Sequence, residues 1–399
     1  MSSICGGTKQ GAVSEYIWKH STSRGKGESN ISPNPNNLSW IGSRKNQFAI
    51  KKDESPSSVQ KLGGLPPQIV LDGKVSIKTI QKEADIMDIS NAINFDSLWD
   101  FKNSIQEKLI GSYALAVLFE DGEIWIACNY KPVWIGSCGD GIYFSSLHSH
   151  FPPQVNPYQM EPYSVINLNS GESFKIKRQQ SARAVVVGSS GLDSTSVMAY
   201  AVQAHGNENT SVIHYNYACK ATKKEIESIN KIAAHFQINL QILSLPNFGG
   251  SSLLDEDKEI PVAEGKIKIA QEWVPARNLL MLSTAVAYAE ANDIGHIYLG
   301  TNLEEAETYP DNEEQFILDF NHLLSRAVQN GVKIQVHAPL GNLMKPEIVL
   351  FGNTYGAPFH LTWSCYRGGD IHCGKCNSCN KRKTAFEKNG LKDPVKYEI

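Results

Sequence analysis

Residues 182–206 read ARAVVVGSSGLDSTSVMAYAVQAHG, and this stretch decides the fold of the second half of the chain. ARAVVVG is a short apolar run closed by turn residues, fit for a strand buried on both faces. Its Ser/Gly turn opens into DSTSVMAYAVQAHG, which reads as a helix. The alternation continues outward. TSVIHYNY (210–217) reads as a strand, KKEIESINKIAAHF (223–236) as a helix and LQILSLP (240–246) as a strand. ARNLLMLSTAVAYAEAND (276–293) is a long helix leading into the strand HIYLGTN (296–302). Strands alternating with helices of about a dozen residues predict an α/β fold with a doubly wound parallel sheet. Ligands on such a sheet sit beyond the carboxyl ends of the strands, where strand order reverses.

Upstream the texture differs. SYALAVLF (112–119), IWIAC (124–128) and IYFSS (142–146) are separated by EDGE and GDG, which predicts hairpin-connected strands. VINLNSGESFKIK (165–177) adds a strand pair around an Asn-Ser-Gly turn, with helix expected near 92–108. Residues 20–68, rich in Ser, Asn, Pro, Gly and Lys, read as long loops between short strands. The change of pattern falls in the polar segment IKRQQSAR (176–183), so two domains are expected, 1–178 and 179–399.

Composition narrows the function. The 399 residues carry 38 basic and 41 acidic side chains, a net charge of −3, which gives no global case for binding nucleic acid or anionic membranes. No apolar run approaches the roughly 18 residues that would suggest a membrane-spanning helix. The opening MSSICGGTKQG lacks the apolar core of a secretory signal, so a cytoplasmic location is expected. Four of the eight cysteines, Cys365, Cys373, Cys376 and Cys379, crowd into fifteen residues. Clustered thiols in a reducing compartment bind metal more often than they pair. Four soft ligands suit a closed, structural Zn²⁺ tetrahedron, and an iron–sulfur cluster is the competing metal reading.

The turn after the first strand is Ser189-Ser190-Gly191-Leu192-Asp193-Ser194-Thr195. Small residues let backbone N–H groups approach an anion, and a helix N-terminus adds partial positive charge beside it. No lysine follows the glycine, so this is not a Walker loop. The bland reading is a plain βα turn with an N-cap. The segment resembles the pyrophosphate-binding S-G-G-x-D-S loop of the PP-loop ATPases, with Ser190 where that family usually has glycine.

Five motifs in order extend the resemblance across residues 183–399. Trp273-Val274-Pro275-Ala276-Arg277-Asn278 is similar to V-P-A-R-N; Gly300-Thr301-Asn302 with Tyr309-Pro310-Asp311 is similar to G-x-N…Y-P-D. LGNLMKPEI (340–348) is similar to P-L-x-x-x-x-K-x-E-I and puts Lys345 on the family lysine, and Leu361-Thr362-Trp363-Ser364-Cys365-Tyr366 leads to the remaining cysteines. Together with the loop they resemble QueC, the 7-cyano-7-deazaguanine synthase family. The resemblance implies a HUP-like domain that uses ATP and Mg²⁺ on 7-carboxy-7-deazaguanine. The carboxylate is adenylated, an amine displaces AMP to give an amide, and in the ordinary enzyme a second ATP dehydrates the amide to a nitrile. Asp193 suits Mg²⁺, and Lys345 and Arg277 suit the charge developing on pyrophosphate. Asn278, Asn302, Glu305, Tyr309 and Asp311 are the expected substrate-binding residues. Departures gather at the substrate end: Tyr217-Ala218-Cys219-Lys220-Ala221 replaces a Tyr-Gly-Gln-x-His-like segment, Glu305 an aspartate, and Asn312-Glu313 a Cys-Arg pair. They put the nitrile-forming step in question and leave adenylation in place. A nucleotide-binding scaffold without turnover is the remaining alternative, with Ser190 as its support.

The first domain resembles a class II glutamine amidotransferase, an α+β Ntn-hydrolase-like fold, through Gly111-Ser112-Tyr113-Ala114, Pro132-Val133-Trp134-Ile135-Gly136 and Gly141-Ile142-Tyr143-Phe144-Ser145-Ser146. A working glutaminase of that class needs an N-terminal cysteine whose own amine is the base. Here four residues precede Cys5, and Asp72-Gly73 stands at the Asn-Gly oxyanion element. The expectation is no glutaminase activity unless the chain is cut before Cys5. QueC-like proteins of this two-domain form resemble those of bacterial anti-phage gene clusters, which suits a partner protein docked on the first domain; the acceptor is then free ammonia or an amine of that partner, and the alternative is 7-cyano-7-deazaguanine (preQ0) synthesis from ammonia in queuosine biosynthesis.

Overall fold

The structure, a computed structural model, describes residues 3–21, 29–33, 39–44, 67–79, 83–139, 141–255, 257–260 and 272–398. It divides into two compact units, Met1–Arg178 and Gln179–Ile399.

The first unit contains β1 (Ser3–Gly7), α1 (Ala12–His20), β2 (Ser29–Pro33), β3 (Trp40–Arg44), β4 (Gln68–Ile77), α2 (Ile86–Ala92), α3 (Leu98–Lys108), β5 (Leu109–Leu118), β6 (Ile124–Cys128), β7 (Trp134–Cys138), β8 (Gly141–Ser145), β9 (Tyr158–Gln159), β10 (Ser164–Asn167) and β11 (Ser173–Lys175). Two antiparallel sheets result, ordered β2-β3-β1-β8-β7-β9 and β11-β10-β6-β5-β4. The period of two along β6 explains why IWIAC is apolar throughout. Ile124, Ile126 and Cys128 enter a core shared with Ile4, Ile135 and Phe144 of the other sheet, whereas Trp125 and Ala127 face Phe101 and Ile105 of α3. Beyond the other sheet, Ile17 of α1 packs with Cys5, Tyr143 and Phe151. The layering is helix, sheet, sheet, helix. Most of residues 20–68, read as loops from sequence, lies outside the described residues; β2, β3 and the start of β4 fall within that span.

The second unit contains β12 (Ala184–Val187), α4 (Leu192–His205), β13 (Thr210–Asn216), α5 (Thr222–Phe236), β14 (Asn239–Ser244), α6 (Arg277–Ala291), β15 (His296–Tyr298), α7 (Leu303–Ala306), α8 (Glu314–Ala327), β16 (Gln335–His337), α9 (Lys345–Thr354) and α10 (Asn377–Lys388). Its sheet runs β14-β13-β12-β15-β16 with every pairing parallel. The four-residue β12 is buried along its length. Ala184 and Val186 meet Met198 of α4, Ile229 of α5 and Ile348 of α9, while Val185 and Val187 meet Leu282 of α6 and Phe320 of α8. This is the doubly wound α/β sheet expected from sequence. Strand order reverses at β12, with β13 on one side and β15 on the other, so the crevice opens at the carboxyl end of β12.

The polar segment 176–183 is not loose at either end. The Ile176 amide donates to the Tyr163 carbonyl at 2.7 Å, and Gln179 exchanges backbone hydrogen bonds with Gly331 and Lys333, both 2.7 Å.

α10 is polar in sequence and is fixed by one buried charge. The Arg382 guanidinium, 2% exposed, makes two 2.9 Å bonds to the Asp393 carboxylate and donates to Thr362, Ser364 and the Phe359 carbonyl. Removing one partner of a buried pair strands the other charge, at a cost of about 3–5 kcal/mol. Asp393→Ala should therefore lower the thermal unfolding midpoint of this unit by roughly 10 °C. An unchanged midpoint would mean that the three neutral acceptors suffice for the guanidinium.

Candidate active site

The loop that leaves β12 begins at Gly188, and α4 starts at Leu192 with Gly191 as its N-cap. Ser190 adopts a left-handed conformation, φ +65°, with its carbonyl accepting the Trp363 amide at 3.0 Å. That backbone region is costly for a residue with a Cβ, which is the physical reason glycine is usual at this position. The Ser194 hydroxyl caps the turn by accepting the Ser189 amide at 3.1 Å. Gly300, just past β15, presses on the same helix start: a Cβ there would lie 3.1 Å from the Ser194 nitrogen. Five buried polar atoms gathered here have no partner in the protein: Ser190 Oγ, Thr195 Oγ1, Asp193 Oδ1, Thr301 Oγ1 and His214 Nε2. Buried polar groups are normally satisfied; Asp193, Thr301 and His214 line the cavity described below and can be completed by a ligand there, whereas Ser190 and Thr195 lie behind its lining.

Lys345, the first residue of α9, reaches across to this helix start. Its ammonium binds Asp193 Oδ2 and donates to Glu305 Oε1 at 3.1 Å. Burial alone would push both carboxyls up. For Glu305 the charge and hydrogen bond of Lys345, the charge of Lys381 and the hydrogen bond of Asn302 together outweigh burial and hold it down at about 2, whereas for Asp193 burial prevails and the net direction is up. The same two carboxylates overcome burial at Lys345 and raise it above its ordinary value. Asp193 was expected to carry Mg²⁺. One of its oxygens is occupied by Lys345 and Asn302, and the unpartnered Oδ1 is the atom left for a cation. Asn302, expected to touch substrate, bonds its neighbours. It is fully buried, donates to Asp193 at 3.3 Å and accepts the Glu305 amide at 3.1 Å, so both ends of its amide position the two carboxylates. It does not line the cavity.

A cavity of about 230 Å³ extends from the loop along the strand ends. Arg277, the first residue of α6, stands in its wall and donates to the Tyr217 hydroxyl at 3.4 Å. Burial opposes its charge, but Tyr217, Glu305, Tyr366 and Asp311 together raise its pKa further. Asn278 and Asp311, both expected to touch substrate, bond each other. Asp311 accepts the Asn278 amide through its carboxylate and the Asn278 side chain through its carbonyl, each at 3.1 Å. This pair pins the start of α6 while still lining the cavity. Tyr309 stacks on Trp273 at 5.4 Å between ring centroids, and burial pushes its hydroxyl up to about 12. Sequence reasoning passed over Glu225. It reads as an acid in the first turn of an amphipathic helix, where the dipole alone explains it. It nevertheless lines the cavity beside Tyr217 and Cys219.

The sulfurs of Cys365, Cys373, Cys376 and Cys379 lie within 4.8 Å of one another, and all four residues are buried. A single ion with bonds of about 2.3 Å places four sulfurs about 3.8 Å apart. The amides of Arg367 and Cys373 point at Cys365 Sγ, and that of Cys376 at Cys373 Sγ, each at 3.4 Å, as donors that stabilise thiolates. The donor set fits one tetrahedral metal ion and could hold zinc.

In the first unit, Cys5 is the middle residue of β1, paired with Gly42 on one side and Ser145 on the other, and 1% exposed. Asp72 is buried within β4, where Lys131 binds it at 2.8 Å and the Ser146 hydroxyl donates to it at 3.2 Å. Gly73 (φ +139°) follows, and a Cβ there would sit 1.8 Å from the Ser112 carbonyl oxygen.

Ser190 combines a left-handed backbone with an unpaired buried hydroxyl. Ser190→Gly should stabilise the nucleotide-free protein by about 1 kcal/mol, after allowing for the entropy cost of glycine. Thermal unfolding without nucleotide tests this, and a lower midpoint would show that the conformation is unstrained.

Residues 183–390 match the family model described as "Queuosine biosynthesis protein QueC". The 7-cyano-7-deazaguanine synthase of Sulfolobus acidocaldarius is 41% identical over 330 residues, covering 78% of this chain and 70% of that protein. That of Saccharolobus solfataricus is 40% identical over 329 residues, covering 76% and 70%. Alignments of that extent reach back from the second unit into the first. The Methanothermobacter thermautotrophicus synthase is 37% identical over 224 residues, which is 54% of this chain and 99% of that protein. The chain that places Lys345 between two carboxylates at this loop belongs to the QueC family.

Proposed function

We propose that the second unit is an ATP-dependent carbon–nitrogen ligase that adenylates the carboxylate of 7-carboxy-7-deazaguanine and passes the acyl group to an amine. The observation that carries the reading is the Lys345 ammonium held between Asp193 and Glu305 beside a loop with unsatisfied hydroxyls. A carboxylate is a poor acyl donor until its oxygen becomes part of a phosphate leaving group. In this reading Ser189 to Thr195 cradle the phosphates of ATP, Asp193 Oδ1 takes Mg²⁺, and Lys345 and Arg277 offset the charge developing on pyrophosphate. Trp273 and Tyr309 offer aromatic faces to a purine-like base, next to the polar edges of Glu305, Asn278 and Asp311. The four cysteines hold one Zn²⁺, with a structural role because a four-thiolate tetrahedron has no open position.

The amine is an amino group on a partner protein docked on the first unit, as in an anti-phage system. The state of Cys5 and Asp72 supports an external amine. A thiol buried in mid-strand and a carboxylate already neutralised by a lysine do not form a glutaminase centre, although the helix–sheet–sheet–helix layering suits a degenerate amidotransferase domain. One second reading is favoured by a specific observation: the relatives carry the name 7-cyano-7-deazaguanine synthase, which points to a nitrile product from ammonia.

Incubation of the protein with ATP, Mg²⁺, the carboxylate and ammonium should yield AMP and the amide by mass spectrometry, and a nitrile would establish the second reading instead. Lys345→Met should lose AMP formation by about 100-fold or more, and because it leaves Asp193 and Glu305 without their shared cation it should also lower the thermal unfolding midpoint, so AMP formation is read at a temperature where circular dichroism shows the variant folded. Elemental analysis should find one zinc per chain, lost in Cys376→Ser together with a large fall in stability. Iron in place of zinc would overturn the metal assignment.

A further inference from the structure

The cavity has two chemically distinct ends. One is the phosphate loop with Lys345 and Asp193; the other is built by Tyr217, Cys219 and Glu225. Glu225 sits in the first turn of α5, and its carboxylate accepts a weak bond from the Cys219 thiol at 3.7 Å. The Thr222 hydroxyl donates to the same sulfur at 3.5 Å, so the thiol is oriented by the helix that carries Glu225. Glu225, Arg277 and Glu305 line the same cavity, and the Arg277 charge acts on the Glu225 carboxylate as the Glu305 carboxylate acts on Arg277. Adenylation has no use for a base at this end. Amide formation needs one, because an amine at neutral pH arrives protonated and loses a further proton when it is acylated.

We propose that Glu225 is the proton acceptor for the incoming amine in the amide-forming step. The inference rests on the ligase reading above. The Glu225 carboxylate takes a proton from the ammonium, the freed lone pair forms the C–N bond to the acyl carbon, and the bond from that carbon to the phosphate oxygen breaks. AMP leaves with the electron pair, and the second amine proton goes to solvent or to the leaving phosphate. Burial pushes the Glu225 carboxyl up to about 7, against the pull of Arg277, so the group changes charge in the range where a base is most effective. The titratable groups facing it do not share that range. Burial raises Cys219 to about 11 and raises Tyr217 above its ordinary value, and Arg277 stays charged.

The test separates the two half-reactions in the full-length protein. ATP–pyrophosphate exchange with 7-carboxy-7-deazaguanine reports adenylation, and ammonia or hydroxylamine as acceptor reports amide formation. In Glu225→Gln, exchange should stay within about threefold of wild type while amide formation from ammonium at pH 7 falls by about 100-fold or more. Hydroxylamine, already neutral at that pH, should restore most of the rate. For wild type acting on ammonium, the rate should rise with pH through a limb near 7 that Glu225→Gln lacks. An unchanged ammonium rate in the variant would overturn the inference. So would equal loss of exchange and transfer, which would make Glu225 a counter-ion of Arg277. Absence of exchange in the wild-type protein would instead defeat the ligase reading, and this inference with it.

Discussion

The second unit depends on a requirement that three part-buried charges be settled together. Asp193 is carried by the start of α4, Glu305 by α7 and Lys345 by the start of α9, so the cluster ties together segments that follow β12, β15 and β16. Each group is costly to bury alone, and the arrangement is favourable only with all three in place and Asn302 bonded to two of them. The parallel sheet brings those segments to one edge; the charges then fix their spacing. One ammonium between two carboxylates leaves a net negative charge, and Asp193 Oδ1 is the buried oxygen left without a partner. The same interaction that closes the fold at this edge therefore leaves it prepared for a cation and an anionic ligand.

How much of this was legible in the sequence follows from how local each signal is. β12 could be read because a strand covered on both faces must be continuously apolar, and AVVV is. β4, QIVLDGKVSI, was missed because Asp72 breaks the pattern, and the residue that compensates it, Lys131, lies far along the chain on another segment. α10 escaped for the same reason: Arg382 is buried only because Asp393 waits beyond the helix end. β16 has three residues, too few for any periodicity. Within the site, the motifs announced Asp193, Lys345 and the cysteines, since their chemistry is tied to residue type and spacing. The bonds Asn302 makes to Asp193 and to the Glu305 backbone were not legible, because an amide can serve a ligand or its neighbours equally well and only geometry shows the neighbours.

The metal cluster and the cavity are a single construction. Cys219, Trp363 and the four clustered cysteines pack in one apolar cluster, and the residues flanking the cysteines, Ser364, Tyr366, Asn377, Ser378 and Lys381, line the cavity. A metal held by Cys365 to Cys379 would thus fix part of the cavity wall. It also reaches the phosphate loop through one backbone bond, since the Trp363 amide donates to the Ser190 carbonyl while the Trp363 indole donates to the Cys365 carbonyl at 2.8 Å. A left-handed serine persists only where its surroundings over-determine it. Here the surroundings include the segment that carries Cys365, so a metal bound by the four cysteines would also constrain the loop. Loss of the ion would then release Ser190 and loosen the phosphate end, even though no cysteine touches it. A metal bound there would in this way act on the shape of the loop without contributing a ligand to it.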